Sequence, residues 1–274
     1  MVYRLKVASP DAPHMERFIE AFRTIQALND SRGYHHIAGF HGAPGNFCWH
    51  HQAARGVGVT ARMFLPWHRA YLYALEQALQ DVDPGVSLPW WDWTEDGIPP
   101  AYGAEQIGGE SNPLHGSEID LTPPQVGSPI QRRTARRPGG GMPVFANPRA
   151  DMDQDGRATL AEMVGYLIHA VPDFETFNDE LEHVPDRMHV WVGGDMASVT
   201  TAAYDPIFFA HHCMIDRIWY LWQMQRDVDR FPTALRDSPL PPFGRTPGQV
   251  LNVQELGYEY ALMSAPVPPG GSVL

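Results

Sequence analysis

Apolar residues recur every three to four positions in four stretches of the chain. This spacing puts them on one face of a helix, and the stretches cover residues 12–30, Pro66–Gln80, Thr159–Ala170 and Asp205–Trp222. Two of them open on start signals: a proline suited to the first helical turn, and a threonine followed three residues later by a glutamate. We therefore predict four helices with buried apolar faces.

The part of the chain between the second and third of these helices has another character. Residues 94–148 are rich in glycine and proline and show no apolar period, which is typical of a long surface excursion carried by a scaffold. The chain has 274 residues, 43% of them hydrophobic, which is enough for one substantial core. The predicted fold is mainly α: a single domain over residues 1–274 with a four-helix bundle core, long irregular loops and few short strands.

The charge of the chain limits the classes of partner that it is expected to bind. The net charge is −12 and the isoelectric point is about 5.4, which argues against a nucleic-acid partner. The basic cluster of Arg132, Arg133, Arg136 and Arg137 lies among glycines and prolines. We predict that this cluster is a solvated loop.

The sequence also bears on location. No stretch of the roughly 18 apolar residues that a membrane span needs occurs in it, so no membrane partner is expected. The N-terminal residues lack the apolar core of a secretory signal, which favours a cytoplasmic protein, or one exported together with a helper. Cys48 and Cys213 are too few for a disulfide framework, although a single bridge between them stays open.

Most of the thirteen histidines fall in two blocks, His35 to His68 and His183 to His212. Each block adjoins a predicted helix. Neutral imidazole favours copper, zinc, iron and nickel, whereas magnesium and calcium favour oxygen ligands. The two blocks therefore indicate a dinuclear transition-metal site held by the helical core.

The second block contains two adjacent histidines, His211 and His212. Neighbouring positions of a helix point about 100° apart. We expect only one of the two to face the metal and the other to support it. Asp216, one turn after His212, is a candidate partner for an imidazole or for a nearby arginine.

Four segments resemble the type-3 copper family, which includes tyrosinases, catechol oxidases, o-aminophenol oxidases and molluscan hemocyanins. They are FLPWHR, the run LPWWDW, HVWVGG and DPIFFAHHCMIDRIW. In length the chain looks most like the actinobacterial tyrosinases, and no C-terminal cap domain is expected. The run Tyr258-Glu259-Tyr260 is similar to a tyrosine motif of the family, which would hold Arg4.

The resemblance implies two copper ions bound by histidines. The implied ligands are His41, His50 and His68 for the first copper, and His189 and His212 for the second. The family usually has one more histidine, four residues before the position of His189, but Pro185 stands there. His183 is then the expected third ligand if the backbone leaves a regular helix at Pro185. The alternative is a second site that lacks a ligand.

Two details of the first block stay open. The loop between His50 and His68 is longer than is usual in the family, but closing a longer loop costs little entropy. His51 competes with His50 as the ligand. We favour His50 because Cys48 and His50 resemble a cysteine and histidine that form a thioether in several members, and the alternative for Cys48 is a buried free thiol.

The resemblance further implies oxidation of o-diphenols or o-aminophenols by O2, and in some members of monophenols, to o-quinones or quinone imines. Glu182 is similar to a water-orienting glutamate of the family, and Asp186 stands where a polar residue helps to deprotonate phenols. The alternative for both is an ordinary carboxylate on a helix surface.

Two other functions remain open: an oxygen carrier with a blocked entrance, and a copper-poor homologue that serves as a binding or scaffold protein. Copper content distinguishes the copper-poor homologue from the other two candidates. Turnover of catechol or 2-aminophenol distinguishes the oxidase from the oxygen carrier. The actinobacterial resemblance also implies a small helper protein that loads copper.

A last motif predicts calcium. Asp151, Asp153, Asp155 and Glu162 match the acidic positions of the calcium-binding pattern D-x-D-x-D-G-x5-E. A calcium ion here would be structural. The alternative is an acidic turn that leads into the helix, with Glu162 completing the capping box.

Overall fold

A computed structural model of the protein describes residues 1–54, 61–95, 97–146, 157–226 and 230–261. The helices in these ranges are α1 (Pro13–Ala27), α2 (Tyr34–Ala38), α3 (Trp49–Ala54), α4 (Phe64–Val82), α5 (Pro100–Gly103), α6 (Leu160–Ala170), α7 (Phe174–Val192) and α8 (Ile207–Met224). The strands are β1 (Val2–Arg4), β2 (Gln106–Ile107), β3 (Glu110–Ser111), β4 (Glu118–Leu121), β5 (Ile130–Arg133), β6 (Phe145–Ala146), β7 (Arg157–Ala158) and β8 (Tyr258–Tyr260).

The helical core is arranged around α4. This helix packs against α1, α7 and α8, and α7 and α8 also contact each other and α6. Its sequence explains the central position, because apolar side chains cover almost every face of its first three turns. The predicted mainly α fold with a helical bundle core is confirmed, and the four predicted helices correspond to α1, α4, α6 and α8.

The short strands form four two-stranded pairs. Three of them, β2 with β3, β4 with β5 and β6 with β7, are antiparallel. The first two of these pairs lie within the glycine- and proline-rich segment, which therefore contains regular structure. The fourth pair joins β1 to β8 in parallel, with Val2 opposite Tyr258 and Arg4 opposite Tyr260.

A network of buried charged side chains joins the strand β1 to the helices α4 and α8. Arg4 donates two 3.0 Å hydrogen bonds to Glu76 and one of 3.1 Å to Asp216. Arg69 donates to the other oxygen of Asp216 at 2.5 Å, and all four side chains are at most 3% exposed. Two positive and two negative charges therefore balance in the core, where an unpaired charge would be costly.

The tyrosine motif completes this network. Tyr258 and Tyr260 donate hydroxyl hydrogen bonds of 2.8 and 2.7 Å to Asp216. The guanidinium of Arg4 lies 3.5 Å from the ring centroid of Tyr258, in cation–π contact. Of the two partners considered for Asp216, an imidazole or an arginine, the structure has arginines.

The arginine cluster is not simply a solvated loop. Arg136 is 9% exposed and pairs with Asp205, which is 0% exposed. Arg132 forms 2.6 and 2.7 Å hydrogen bonds with Asp195. The prediction is wrong for Arg136, because its partner Asp205 comes from the distant turn before α8, which local composition does not show; Arg132 is paired but 51% exposed.

The capping box at α6 is present. Glu162 donates its backbone N–H to Thr159 at 3.3 Å, and its carboxylate accepts from the backbone of Thr159 at 2.7 Å. The other predicted calcium ligands, Asp151, Asp153 and Asp155, lie outside the described residues. Nothing in the part of the chain that the structure covers supports calcium.

Two further expectations concern cysteines and membranes. Cys48 and Cys213 are both buried free thiols, so no bridge joins them. Among the described residues, no helix combines the length and the apolar character needed to cross a lipid bilayer.

Candidate metal centre

Five histidines from separate parts of the fold line one cavity of about 310 Å³. They are His41 after α2, His50 in α3, His68 in α4, His189 in α7 and His212 in α8. These are five of the six histidines that the sequence indicated as ligands. The helical core therefore brings together residues that are up to 171 positions apart, from residue 41 to residue 212.

Backbone carbonyls orient three of the imidazoles. The Nδ1 hydrogen bonds run from His41 to Val199 O (3.2 Å), from His68 to Phe64 O (2.8 Å) and from His189 to Met196 O (2.8 Å). Because a carbonyl oxygen can only accept, Nδ1 carries the proton in each ring and Nε2 keeps its lone pair. This is the orientation in which histidines bind metals.

The loop that carries His41 depends on a close backbone approach. A Cβ on Gly42 would lie 2.0 Å from the carbonyl oxygen of Thr200, so only glycine fits at this point. The contact holds the loop against residues 199 and 200, where Ala43 donates to Thr200 O at 3.2 Å. Val199 O thereby reaches the ring of His41.

The turn after α7 serves His189 in a similar way. Gly194 has a φ of +57°, and a Cβ there would lie 1.8 Å from the oxygen of Ala135. A side chain is therefore excluded by both conformation and space. The tight turn folds residues 194–197 back toward α7, which places Met196 O at the His189 ring.

The rings from the helices are in mutual contact. The Nε2 atoms of His189 and His212 are 3.3 Å apart. The rings of His68 and His212 are stacked, with centroids 4.3 Å apart and an interplanar angle of 4°. The His41 centroid lies 5.6 Å from that of His68 and 6.4 Å from that of His212.

Burial keeps four of these imidazoles uncharged. It lowers the pKa of His41, His68, His189 and His212, and that of His68 falls to about 3. Neighbouring imidazoles lower the pKa of His41 and His212 further. All four are therefore neutral near pH 7, which is the form that binds a metal.

His50 has a different environment. Its Nε2 lies 3.2 Å from Glu182 Oε1. Burial alone would lower the pKa of His50, but hydrogen bonds to Cys48 and Glu182 outweigh it and raise the pKa to about 9. Without a metal the ring is an imidazolium, so binding a metal through it would release a proton.

Cys48 interacts with both of the adjacent histidines of α3. Its sulfur lies 2.9 Å from Nδ1 of His51 and also interacts with His50. Burial alone would raise the pKa of Cys48, but the hydrogen bonds to His50 and His51 lower it to about 7. Of the two histidines, His50 faces the cavity, and the predicted thioether between Cys48 and His50 stays a prediction.

The structure does not bring His183 to the site. α7 continues through Pro185 without a break, so residues six positions apart are separated by about 240° around its axis. His183 is accordingly exposed, whereas Pro185 lies in the cavity wall. The prediction of an irregular segment that turns His183 inward is wrong, because buried side chains on both sides of Pro185 hold the helix.

Glu182 and Asp186 flank the cavity on α7. Glu182 is 9% exposed and contacts His50. Asp186 is exposed and contributes to the cavity wall. Both carboxylates are near the imidazoles, and their roles in a reaction stay a prediction.

His211 is the histidine at this site that the sequence left in a supporting role. One ring nitrogen of each of His189, His211 and His212 lies within 4.8 Å of those of the other two. The His189 ring centroid lies 4.8 Å from that of His211 and 5.4 Å from that of His212, so His189 is near both rings of the adjacent pair. Two features of the sequence could have drawn attention to His211: position 185 holds a proline where the family usually has a histidine, and His212 has a second histidine beside it.

The donors present fit copper. Buried ring nitrogens of His68, His211 and His212 have no hydrogen-bond partner in the described structure, which is rare for buried polar atoms unless an ion or water satisfies them. Four of the five cavity imidazoles are neutral, and the Cys48 thiol lies beside the fifth, His50. Such a set selects copper or another borderline metal over magnesium or calcium.

Comparison with known proteins identifies the fold family. Residues 31–225 match the family model of the common central domain of tyrosinase. The chain is 30% identical over 251 residues to a tyrosinase of Streptomyces glaucescens, covering 81% of this chain and 83% of that protein. It is 32% identical over 262 residues to the grixazone synthase of Streptomyces griseus, covering 73% and 81%.

The fold also occurs in a solved structure of an octopus hemocyanin functional unit. The TM-score is 0.72 at 24% identity, covering 95% of this chain and 68% of the hemocyanin chain. At this identity the likeness concerns the fold alone.

Proposed function

The chain belongs to the tyrosinase family, and from this premise we propose that it is a dicopper oxidase of o-diphenols or o-aminophenols. The five imidazoles around one cavity are the observation that carries the proposal. A bound copper pair would supply the redox chemistry with O2. In the overall reaction, two molecules of catechol and one of O2 give two o-quinones and two of water, and o-aminophenols give quinone imines correspondingly.

The proposed ligands are the five cavity histidines, assigned to the two coppers as the family resemblance implies. His41, His50 and His68 would hold the first copper, and His189 and His212 would hold the second. The carbonyl bonds to Val199, Phe64 and Met196 fix three of these rings before any metal arrives. This preorganisation supports tight and specific binding.

The cavity suits a small aromatic substrate. Its volume of about 310 Å³ is at the lower end for small-molecule sites. Apolar atoms of Pro185, Val190, Met196, Ala197 and Val199 contribute to the wall. A single aromatic ring can pack against them with its hydroxyl directed at the imidazoles.

The two carboxylates of α7 are the proposed proton acceptors. Substrate oxidation releases two protons from the hydroxyl or amino groups, and a base near the cavity assists this release. Asp186 lies at the wall, and Glu182 is linked to it through the helix and contacts His50. We assign the first contact with substrate protons to Asp186 and the positioning of His50 to Glu182.

The test is reconstitution of the purified full chain with copper ions added directly. We expect two copper ions per chain by elemental analysis, and O2 uptake with catechol or 2-aminophenol at one O2 per two substrate molecules. Tyramine in the same assay shows whether monophenols are also oxidised. Two coppers with reversible O2 binding and no turnover would indicate a carrier, and a copper-poor protein would indicate a non-catalytic homologue.

The exposed carboxylate at the wall predicts a preference among substrates. Asp186 is a negative charge beside the cavity, so we expect dopamine to be oxidised with a higher kcat/KM than 3,4-dihydroxyphenylpropionate. Asp186→Asn should reduce the ratio of the two kcat/KM values by about thirtyfold, since a screened charge pair contributes ~1 kcal/mol and the two substrates carry opposite charges. The ratio cancels any effect of the substitution that is common to both substrates.

Asp179→Asn is the matched control for this prediction. It removes the same charge from the same helix at an exposed position that does not line the cavity. An unchanged ratio in Asp186→Asn, or an equal change in both variants, would show that this carboxylate does not select substrates.

A further inference from the structure

We propose that His211 supplies the third nitrogen ligand of the second copper, in place of the histidine that is absent at Pro185. The inference rests on the proposed function. It changes the ligand set from two histidines on α7 and one on α8 to one on α7 and an adjacent pair on α8.

The first observation is the isolation of the His211 ring. The residue is 0% exposed, and neither Nδ1 nor Nε2 has a hydrogen-bond partner in the described structure. A buried polar atom that is left unpaired costs about 1–3 kcal/mol. A metal ion bound to one of these nitrogens would satisfy an atom that the protein leaves without a partner.

The second observation is distance. Nitrogens of His189, His211 and His212 all lie within 4.8 Å of one another. Three nitrogens evenly spaced around one metal at about 2.1 Å lie no more than ~3.6 Å apart. The three rings therefore need to close by roughly one ångström, which side-chain rotations provide.

The third observation is the support of the His211 ring. Its centroid lies 6.3 Å from that of Trp91 and 6.0 Å from that of Trp93. The backbone N–H of Trp91 donates to Ala210 O at 3.0 Å, which fixes this segment to the first turns of α8. Packed aromatic neighbours limit the movement of the ring without competing for its nitrogens.

Three other residues near the second site could be considered for the third ligand of the second copper. Pro185 stands one turn before His189 and has no donor atom, and the exposed His183 is on another side of α7. Asp186 is the remaining candidate, through a carboxylate oxygen. It is absent from the group of three that could hold one ion, and substitution tests it directly.

Copper binding of four variants tests the proposal. The variants are His211→Phe, His211→Gln, His183→Ala and Asp186→Asn, each studied as the full chain. We expect wild type, His183→Ala and Asp186→Asn to bind two copper ions. The two His211 variants should bind one tightly and the second more than about 100-fold more weakly in competition with a chelator, because loss of a mere supporting partner already costs 10–100-fold.

Thermal unfolding of the metal-free proteins separates a ligand role from a structural one. His211→Phe removes two unsatisfied nitrogens from the core and keeps an aromatic ring, so the metal-free variant should unfold at or above the temperature of the wild type. A structural role would lower that temperature in both His211 variants and leave the copper affinity of the folded protein unchanged, which would overturn the proposal.

The wild type gives a measurement that needs no variant. X-ray absorption at the copper edge counts imidazoles, and we expect an average of three per copper. An average of two and a half, or two coppers retained in His211→Phe with unchanged affinity, would contradict the assignment. Fewer than two coppers in the wild type would instead contradict the proposed function itself, so the two failures are distinguishable.

Discussion

Replacing His189 by alanine is expected to reduce the copper content from two ions per chain to one and to lower the turnover of catechol on the order of a thousandfold or more. His189 is held by Met196 O, and its Nε2 lies 3.3 Å from that of His212. The variant removes the only α7 nitrogen in that group of three. Elemental analysis and O2 uptake measure the two effects.

The fold should survive this substitution. The protein loses one hydrogen bond, worth about 1 kcal/mol, and part of a buried ring. His169→Ala is the control, because it removes an exposed imidazole at the end of α6 and should leave both copper ions and the turnover unchanged. Two tightly bound copper ions in His189→Ala would exclude His189 as a ligand.

Asp216→Ala is expected to lower the free energy of unfolding by ~3–5 kcal/mol. The substitution leaves two buried arginines, Arg4 and Arg69, with Glu76 as the only carboxylate among the four charged side chains. It also removes the acceptor of the Tyr258 and Tyr260 hydroxyls. Urea denaturation of the metal-free protein measures the loss, which is a large part of the total for an ordinary domain.

A surface ion pair provides the comparison. Glu175 and Arg62 lie 2.8 Å apart but are 46% and 44% exposed. Glu175→Gln should cost only ~0–1 kcal/mol. Equal losses in the two variants would show that burial does not strengthen the dependence on the Asp216 charge.

The stability contributed by Asp216 also depends on pH. Burial alone would raise its pKa, but the charges of Arg69 and Arg4 and the hydrogen bonds of Tyr260 and Arg69 lower it below the ordinary value. A lowered pKa gives stability that is fully present above about pH 4 and lost as the pH falls through the folded-state value. The difference between wild type and Asp216→Ala should therefore shrink below about pH 4.

The sequence predicted the fold class and most of the cavity for identifiable reasons. Helices α1, α4, α6 and α8 carry regular apolar faces or start signals, so local pattern was sufficient. The histidines 41, 50, 68, 189 and 212 lie in segments with strong motifs, and the structure brings them to one cavity.

The errors arose where local rules compete with packing. Proline weakens a helix, and on that basis His183 was expected to turn inward, but buried residues such as Val184 and Met188 keep α7 continuous. The supporting role that helical geometry gave His211 is untested, and nitrogens of His189, His211 and His212 lie within 4.8 Å of one another. The ion pair of Arg136 with Asp205 joins residues 69 positions apart, and no local pattern encodes such a pair.

The pairing of β1 with β8 has a consequence for synthesis. Arg4 leaves the ribosome some 250 residues before its partners on β8. At 5–20 residues per second this interval is on the order of tens of seconds. The nascent protein must therefore keep an arginine destined for the interior hydrated until translation reaches Tyr260.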